Sequence, residues 1–178
     1  MVGLTLGTGV GGVIAIGGQV VMGHDGTAGE IGHQTIDPDG PLCNCGNSGC
    51  LEAFARADQL AAACGAATAE EAIEQARAGD PTAVAGLVRV GRYLGIGIGN
   101  VVTILTPDRV VIGGGIAAAG GVLLDPIRAE LARRVTMTGM AEVELVTAEL
   151  GVWAGAIGAA VYGAERAAVA VPALVGDA

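Results

Sequence analysis

GLTLGTGVGGVIAIGGQVVMG, residues 3–23, decides the fold. Within it Gly7, Gly9 and Gly12 have the spacing G-x-G-x-x-G, the formal fingerprint of a dinucleotide-binding turn. That fingerprint needs a helix directly after the glycines, so that a pyrophosphate can sit on the helix N-terminus. The next residues are instead VIAIGGQVV, two short β-branched runs around Gly17-Gly18, which is a hairpin pattern. The dinucleotide reading is rejected. The stretch predicts antiparallel strands over Val2–Leu6, Gly12–Ile16 and Gln19–Met22.

Past this meander, HDGTAGEIGHQTI reads as loop and strand, and Asp37, Pro38, Asp39, Gly40 and Pro41 mark a turn-rich loop that carries cysteines. The pattern then becomes helical and alanine-rich, with helices over LEAFARADQLAAAC, AEEAIEQARAG and PTAVAGLVRVGRYLGIGIGNVVTILT. In the last of these Asp80 is placed as N-cap and Pro81 at the first helical position, while Pro107 closes it. Gly91, Gly95 and Gly99 fall four apart on one face of that helix, a small surface that serves either close packing inside the fold, the favoured reading, or a dimer contact. RVVIGG is a buried strand, LLDPIRAELARRV a helix started by Asp125 and Pro126, VELVTAEL a strand and VWAGAIGAAVYGAERA a last helix. AAVAVPALVGDA is expected to fray. With no internal repeat and no linker, residues 1–178 form a single mixed α/β domain.

Composition narrows the function. The chain carries 18 acidic and 9 basic residues, for a net charge of -9, and every basic residue is arginine. No lysine is present for a P-loop or a Schiff base, and the acidic balance argues against contact of this segment with nucleic acid. Apolar residues make up 52% and aromatics 2%, so the core must be aliphatic. The start lacks the pattern of a secretory signal, and LGIGIGNVVTIL is too short and glycine-rich for a membrane span. A cytoplasmic protein is expected.

His33, Cys43, Cys45 and Cys50 have the spacing H-x9-C-x-C-x4-C. Three thiolates and one imidazole are a preferred tetrahedral zinc set, and four protein ligands leave no open position, so such a site is structural. Gly46 and Gly49 supply the tight turns. The alternative is a reduced cysteine cluster with His33 incidental. A zinc ribbon for nucleic acid lacks basic neighbours, since only Arg56 is near. Cys64 reads as a small buried thiol in a helix.

Two glycine runs remain. Gly7, Thr8 and Gly9 can point backbone N–H groups and a hydroxyl at phosphate oxygens, or form a plain β-turn. Gly113, Gly114 and Gly115 come after a buried strand, where the backbone could approach an adenosine or a phosphate.

LGTGVGG, AGEIGH, CNCGNSGC with LE directly after it, and PDRVVIGGG occur in this order, and the chain resembles the ROK family of sugar kinases and sugar-responsive repressors. The resemblance implies the C-terminal lobe of an actin-like ATPase (ribonuclease-H-like) fold with a zinc-binding loop. Sugar and ATP then bind between this lobe and an N-terminal one. It implies that Glu30, His33 and Glu52 bind a hexose or N-acetylhexosamine, His33 through the ring nitrogen left free by zinc. Gly7, Thr8 and Gly9 are then a phosphate hairpin, and Gly113, Gly114 and Gly115 an adenosine motif. The implied cofactors are structural zinc and ATP with Mg²⁺, and the implied assembly is a homodimer or tetramer. Family kinases take their general base, an aspartate, from an Asn-Asp pair in an N-terminal lobe that this sequence lacks, so no catalytic residue is expected here and the lobe alone is expected to be inactive. The implied activity is phosphoryl transfer from ATP to a hexose hydroxyl, usually on C6; the alternative is the sugar-sensing lobe of a repressor.

Overall fold

The computed structural model describes residues 1–137 and 143–170. β1 (Val2–Leu6), β2 (Val10–Ile16) and β3 (Gln19–Val20) form the expected antiparallel meander. β4 (Arg109–Gly113) lies parallel to β1 on its other side, and β5 (Glu144–Thr147) lies parallel to β4. The sheet order is therefore β3-β2-β1-β4-β5. Strand alternation sends Val2, Leu4 and Leu6 of β1, with Val110 and Ile112 of β4, into the core, while Thr5 faces outward.

Register decides where the two glycine runs end up. Leu6 pairs with Val10, which leaves Gly7, Thr8 and Gly9 as the tip of the β1–β2 hairpin. Thr5 pairs with Gly113, so the end of β4 runs out beside that tip. Both turns thus lie at the same end of the parallel pair, the carboxyl end, where open α/β sheets place their ligands. Gly114 continues the strand at φ +84°, and a β-carbon on it would stand 2.2 Å from the Leu6 carbonyl oxygen. Only glycine fits there.

Helices cover the core face. α1 (Glu52–Ala55), α2 (Ala57–Cys64) and α3 (Ala69–Arg77) precede α4 (Pro81–Leu105), whose Leu87, Val90, Leu94, Ile98 and Val102 are fully buried. Asp80 caps α4 as its sequence predicts, accepting from the N–H groups of Thr82 and Ala83. α4 is long and apolar enough to cross a membrane, and here it is a core helix. α5 (Gly121–Arg134) packs on it at Gly91 and Gly95, which settles the role of those glycines as internal packing. α6 (Ala154–Ala170) closes the described chain; Trp153 just before it, and Ile157 and Val161 within it, are exposed at four-residue intervals.

Several boundaries differ from the sequence reading. β2 starts at Val10 rather than Gly12, and β3 stops at Val20. The predicted helix over 51–64 breaks at Arg56, because the Ala57 N–H leaves the helical ladder and donates to the Gly7 carbonyl at 2.8 Å. The helix placed behind Asp125 and Pro126 begins earlier, with Gly120 as N-cap; Asp125 pairs with Arg128 instead, and Pro126 sits inside the helix. The strand expected within HDGTAGEIGHQTI is replaced by a 3₁₀ turn at Ile31–His33 and a single bridge from Thr35 to Cys50. The last strand is limited to four residues, and the final helix starts at Ala154 after a 3₁₀ turn at Gly151–Trp153. Of the tail expected to fray, residues 171–178 lie outside the described residues.

Candidate functional site

A 3₁₀ turn at Ile31–His33 sets Glu30 and His33 beside β2. The chain then crosses back at Thr35, makes the cysteine loop, and returns through Cys50 into α1. Inside the loop the Cys43 N–H donates to the Asn47 carbonyl at 2.8 Å and the Gly46 N–H to the Cys43 carbonyl at 2.9 Å. These turns fold Cys43 and Cys45 toward Cys50. Leu51 is fully buried against Gly97 of α4, and Phe54 stacks on Tyr93 with ring centroids 4.3 Å apart. That anchorage fixes α1, and with it Glu52 at its first position.

The four donor atoms of His33, Cys43, Cys45 and Cys50 lie within 4.8 Å of one another. Cys45 Sγ and Cys50 Sγ are 3.6 Å apart, and Cys43 Sγ is 3.7 Å from His33 Nδ1. Around a tetrahedral ion with Zn–S bonds of ~2.3 Å, neighbouring sulfurs would be separated by ~3.8 Å, so the set fits one such ion. All four cysteines of the chain are free, Cys43 and Cys50 being buried and Cys45 exposed. Burial pushes the Cys50 thiol up to about 12, with the neighbouring Cys45 and Cys43 adding to it, whereas the Asn47 backbone N–H holds Cys45 below its ordinary value. A cation among these donors would displace the thiol protons. Cys64 stands apart in α2, buried and bonded to the Ala83 carbonyl at 3.3 Å, as expected of a packing thiol.

His33 looks two ways. Nδ1 faces Cys43, and Nε2 lies 3.8 Å from Glu30 Oε2. Were Nδ1 to bind a cation held by the thiols, the ring proton would be left on Nε2, on the side of Glu30. Glu30, His33 and Glu52 line a cavity of 370 Å³ whose other walls include the hairpin tip Gly7–Gly9 and, from the end of β4, Gly114 and Gly115. A second cavity of 420 Å³ continues from Gly113, Gly114 and Gly115 to Ala117, Thr147 and Ala148. The two share Gly114 and Gly115, so a ligand in one would adjoin a ligand in the other. The three candidate sugar ligands and both glycine runs are thus brought to one end of the sheet.

Two features were not legible beforehand. Glu52 does more than line the cavity: its Oε2 accepts the Val10 N–H at 2.9 Å, which ties α1 to β2. Arg56, at the break between α1 and α2, holds Asp58 at 2.7 Å through Nε while its Nη1 is buried with no hydrogen-bond partner among the described residues. The bond to Asp58, with the charges of Asp58, Glu52 and Cys43, keeps its pKa above the ordinary value. It places a positive charge beside a group of thiols and carboxylates. An arginine in an alanine-rich helix gives no sequence signal of that position.

The mixed sheet, with two glycine turns at one end and a carboxylate-lined cavity beside them, has the actin-like ATPase fold of the solved structures that the chain matches. The chain belongs to the ROK family, whose sequence profile matches residues 1–165. It is 35% identical to a glucokinase of Thermotoga maritima over 93% of this chain and 58% of that protein. It is 32% identical to a xylose repressor of Bacillus spizizenii over 86% of this chain and 41% of that protein. A crystal structure of a ROK glucokinase from Streptomyces griseus, in complex with glucose and AMPPNP, superposes with a TM-score of 0.82 at 33% identity, covering 90% of this chain and 59% of the other. The chain spans little more than half the length of the glucokinases it matches.

Proposed function

We propose that the chain is the C-terminal, sugar- and nucleotide-binding lobe of an ATP-dependent hexose kinase, which moves the γ-phosphoryl group of ATP to a hexose or N-acetylhexosamine hydroxyl, the one on C6. One observation carries this reading: Glu30, His33 and Glu52 share a cavity with both glycine turns. Carboxylates accept hydrogen bonds from sugar hydroxyls, and His33 offers Nε2 from the same side. At the hairpin tip the Gly7 N–H donates to the Gly9 carbonyl at 3.0 Å, which leaves the N–H groups of Thr8 and Gly9 and the Thr8 hydroxyl for phosphate oxygens. The cavity past Gly115 is left for the adenosine. Mg²⁺, bound with the nucleotide, would offset phosphate charge.

In this reading His33, Cys43, Cys45 and Cys50 hold a structural zinc ion, for which their donor set and spacing fit. Its role is to brace the loop so that Glu30, His33 and Glu52 keep their places. No general base is assigned within this chain; a preceding lobe supplies the aspartate that takes the hydroxyl proton. This lobe alone is then inactive. ATP and reduced thiols fit a cytoplasmic setting.

Likeness to a xylose repressor supports a second reading, a sugar-sensing lobe that binds without chemistry. Calorimetry with a panel of hexoses, coupled to an assay of ADP formation in the full-length protein, separates the two. The kinase gives sugar heat and sugar-dependent ADP, both reduced at least tenfold in Glu30→Gln. Sugar heat without ADP supports the repressor. Absence of heat from every hexose overturns both.

A further inference from the structure

Glu52 connects two parts of the site that lie far apart in sequence. Its Oε2 accepts the N–H of Val10, 42 residues earlier, at 2.9 Å. Val10 is the first residue after the hairpin tip and is itself buried. Gly9, just before it, leaves the carboxylate room: a β-carbon there would lie 2.5 Å from Glu52 Oε2. On the other side of the tip, the Gly7 carbonyl accepts the Ala57 N–H at 2.8 Å, from the first residue of α2. The tip carrying Thr8 is thus held from both flanks by one short segment, residues 52–57, and on the Val10 side the hold is a single ionisable side chain.

The two oxygens of that side chain face different ways. Oε2 is committed to the hairpin, while Oε1 is 3.9 Å from Cys43 Sγ. The carboxylate as a whole lines the cavity assigned to the sugar.

We infer that Glu52 is a positioning residue for the phosphate hairpin, so that the sugar and nucleotide sites share one carboxylate and each ligand tightens the other. The inference rests on the sugar-and-nucleotide reading of the cavity and extends it. A sugar hydroxyl bonded to Glu52 restricts its rotamers. A restricted carboxylate fixes Val10, and a fixed Val10 sets the N–H groups of the tip before the phosphates arrive. The ordering is then met once rather than twice, which is positive coupling, and it must be reciprocal.

The test measures binding of a non-hydrolysable ATP analogue to the full-length protein, with and without saturating glucose, by calorimetry. Hydrogen exchange of the peptide covering residues 7–13 is tracked in parallel. The parent should bind the analogue about fivefold or more tighter with glucose present. Without glucose, Glu52→Ala should weaken the analogue about tenfold and speed exchange in residues 7–13, because a charge-assisted bond to the hairpin is gone. Glu52→Gln keeps an oxygen that can accept from Val10. It should recover most of the nucleotide affinity and the slow exchange, while glucose affinity stays reduced. That split separates positioning from general damage to the fold, and unchanged exchange around Leu94 and Ile112 checks that both variants are folded. Glu52→Ala with parental nucleotide affinity and parental exchange overturns the inference. So does a Glu52→Gln variant as impaired as Glu52→Ala. A parent that binds no nucleotide overturns the reading of the site and the coupling with it, whereas hairpin exchange still decides whether Glu52 holds Val10.

Discussion

Gly95 of α4 lies directly under Glu130 of α5, so closely that a β-carbon on Gly95 would stand 2.6 Å from that of Glu130. Gly91, one turn earlier, meets Pro126 in the same way, at 2.8 Å. The absence of side chains at these positions sets how near the two helices approach. Gly95→Ala would remove a flexible backbone position, which favours a helix by up to about 1 kcal/mol, but it must also push α5 away. Overpacking of a tight contact costs about 1–3 kcal/mol, so the net change should be destabilising. Urea unfolding should show a lower midpoint with an unchanged m-value.

Glu130 gives this helix pair a pH dependence. It is 3% exposed, and its carboxylate is ringed by Arg92 at 3.7 Å, Arg133 at 3.1 Å and Arg134. Burial alone would raise its pKa; the hydrogen bond and charge of Arg134, with the charges of Arg133 and Arg92, outweigh burial and leave it below the ordinary 4.5. A depressed folded-state pKa means stability that is present above the unfolded value and is lost as pH falls through the folded one. Glu130→Gln should therefore be less stable than the parent by roughly 1–3 kcal/mol at neutral pH, and the gap should close below about pH 4.5. The arginine heads are largely exposed, so salt should narrow the gap as well. Chemical denaturation of both proteins across pH checks each trend.

The cysteine loop should carry one zinc ion per chain. Elemental analysis should find it in the parent and in Cys64→Ser, and not in Cys43→Ser or Cys50→Ser, whose sulfurs belong to the cluster. Chelation should open the loop and release the brace on α1 while the aliphatic core stays folded. A loss of about 3 kcal/mol would lower the melting temperature by about 6–12 °C for a chain of this size. Protection of the Leu51 N–H, which donates to the Gln34 carbonyl at 3.0 Å, should fall on chelation and return with added zinc.

The legible and illegible parts of this molecule divide along a physical line. β1, α3, α4 and β4 were readable because strand alternation, capping residues and β-branched runs are local signals, and Asp80 with Pro81 marked the start of α4 within a residue. The cysteine and histidine cluster was readable because its members lie close in sequence. The break at Arg56 was not, since it is caused by the Gly7 carbonyl drawing off one N–H from a distant strand turn. Asp125 and Pro126 misled for the opposite reason. They form a sound local start signal, yet the turn after β4 and the packing of Leu123 and Leu124 start the helix sooner. The bond from Glu52 to Val10 has no local trace at all, because a side chain reaching a backbone 42 residues away depends on the finished fold.

Phe54 and Tyr93 offer a test of how the site is anchored. Their rings stack at 25° between planes, joining α1 to α4, and Phe54 also closes on the loop at Gly40, where a β-carbon would lie 2.6 Å from its ring. Glu52 lies two residues before Phe54 in the same short helix. A helix of four residues has little stability of its own, so tertiary contacts must hold it. Phe54→Ala removes the stack and part of the packing of the loop, at about 3–5 kcal/mol for a fully buried ring and toward the lower end here, because Phe54 is only half-buried. Phe54→Leu restores apolar volume without the stack and should recover most of the stability. If α1 is held by packing, both the unfolding midpoint and glucose affinity should fall in Phe54→Ala and rise again together in Phe54→Leu. Stability that falls while glucose binding stays parental would mean that α1 is fixed by the bonds at Val10 and Ala57 alone.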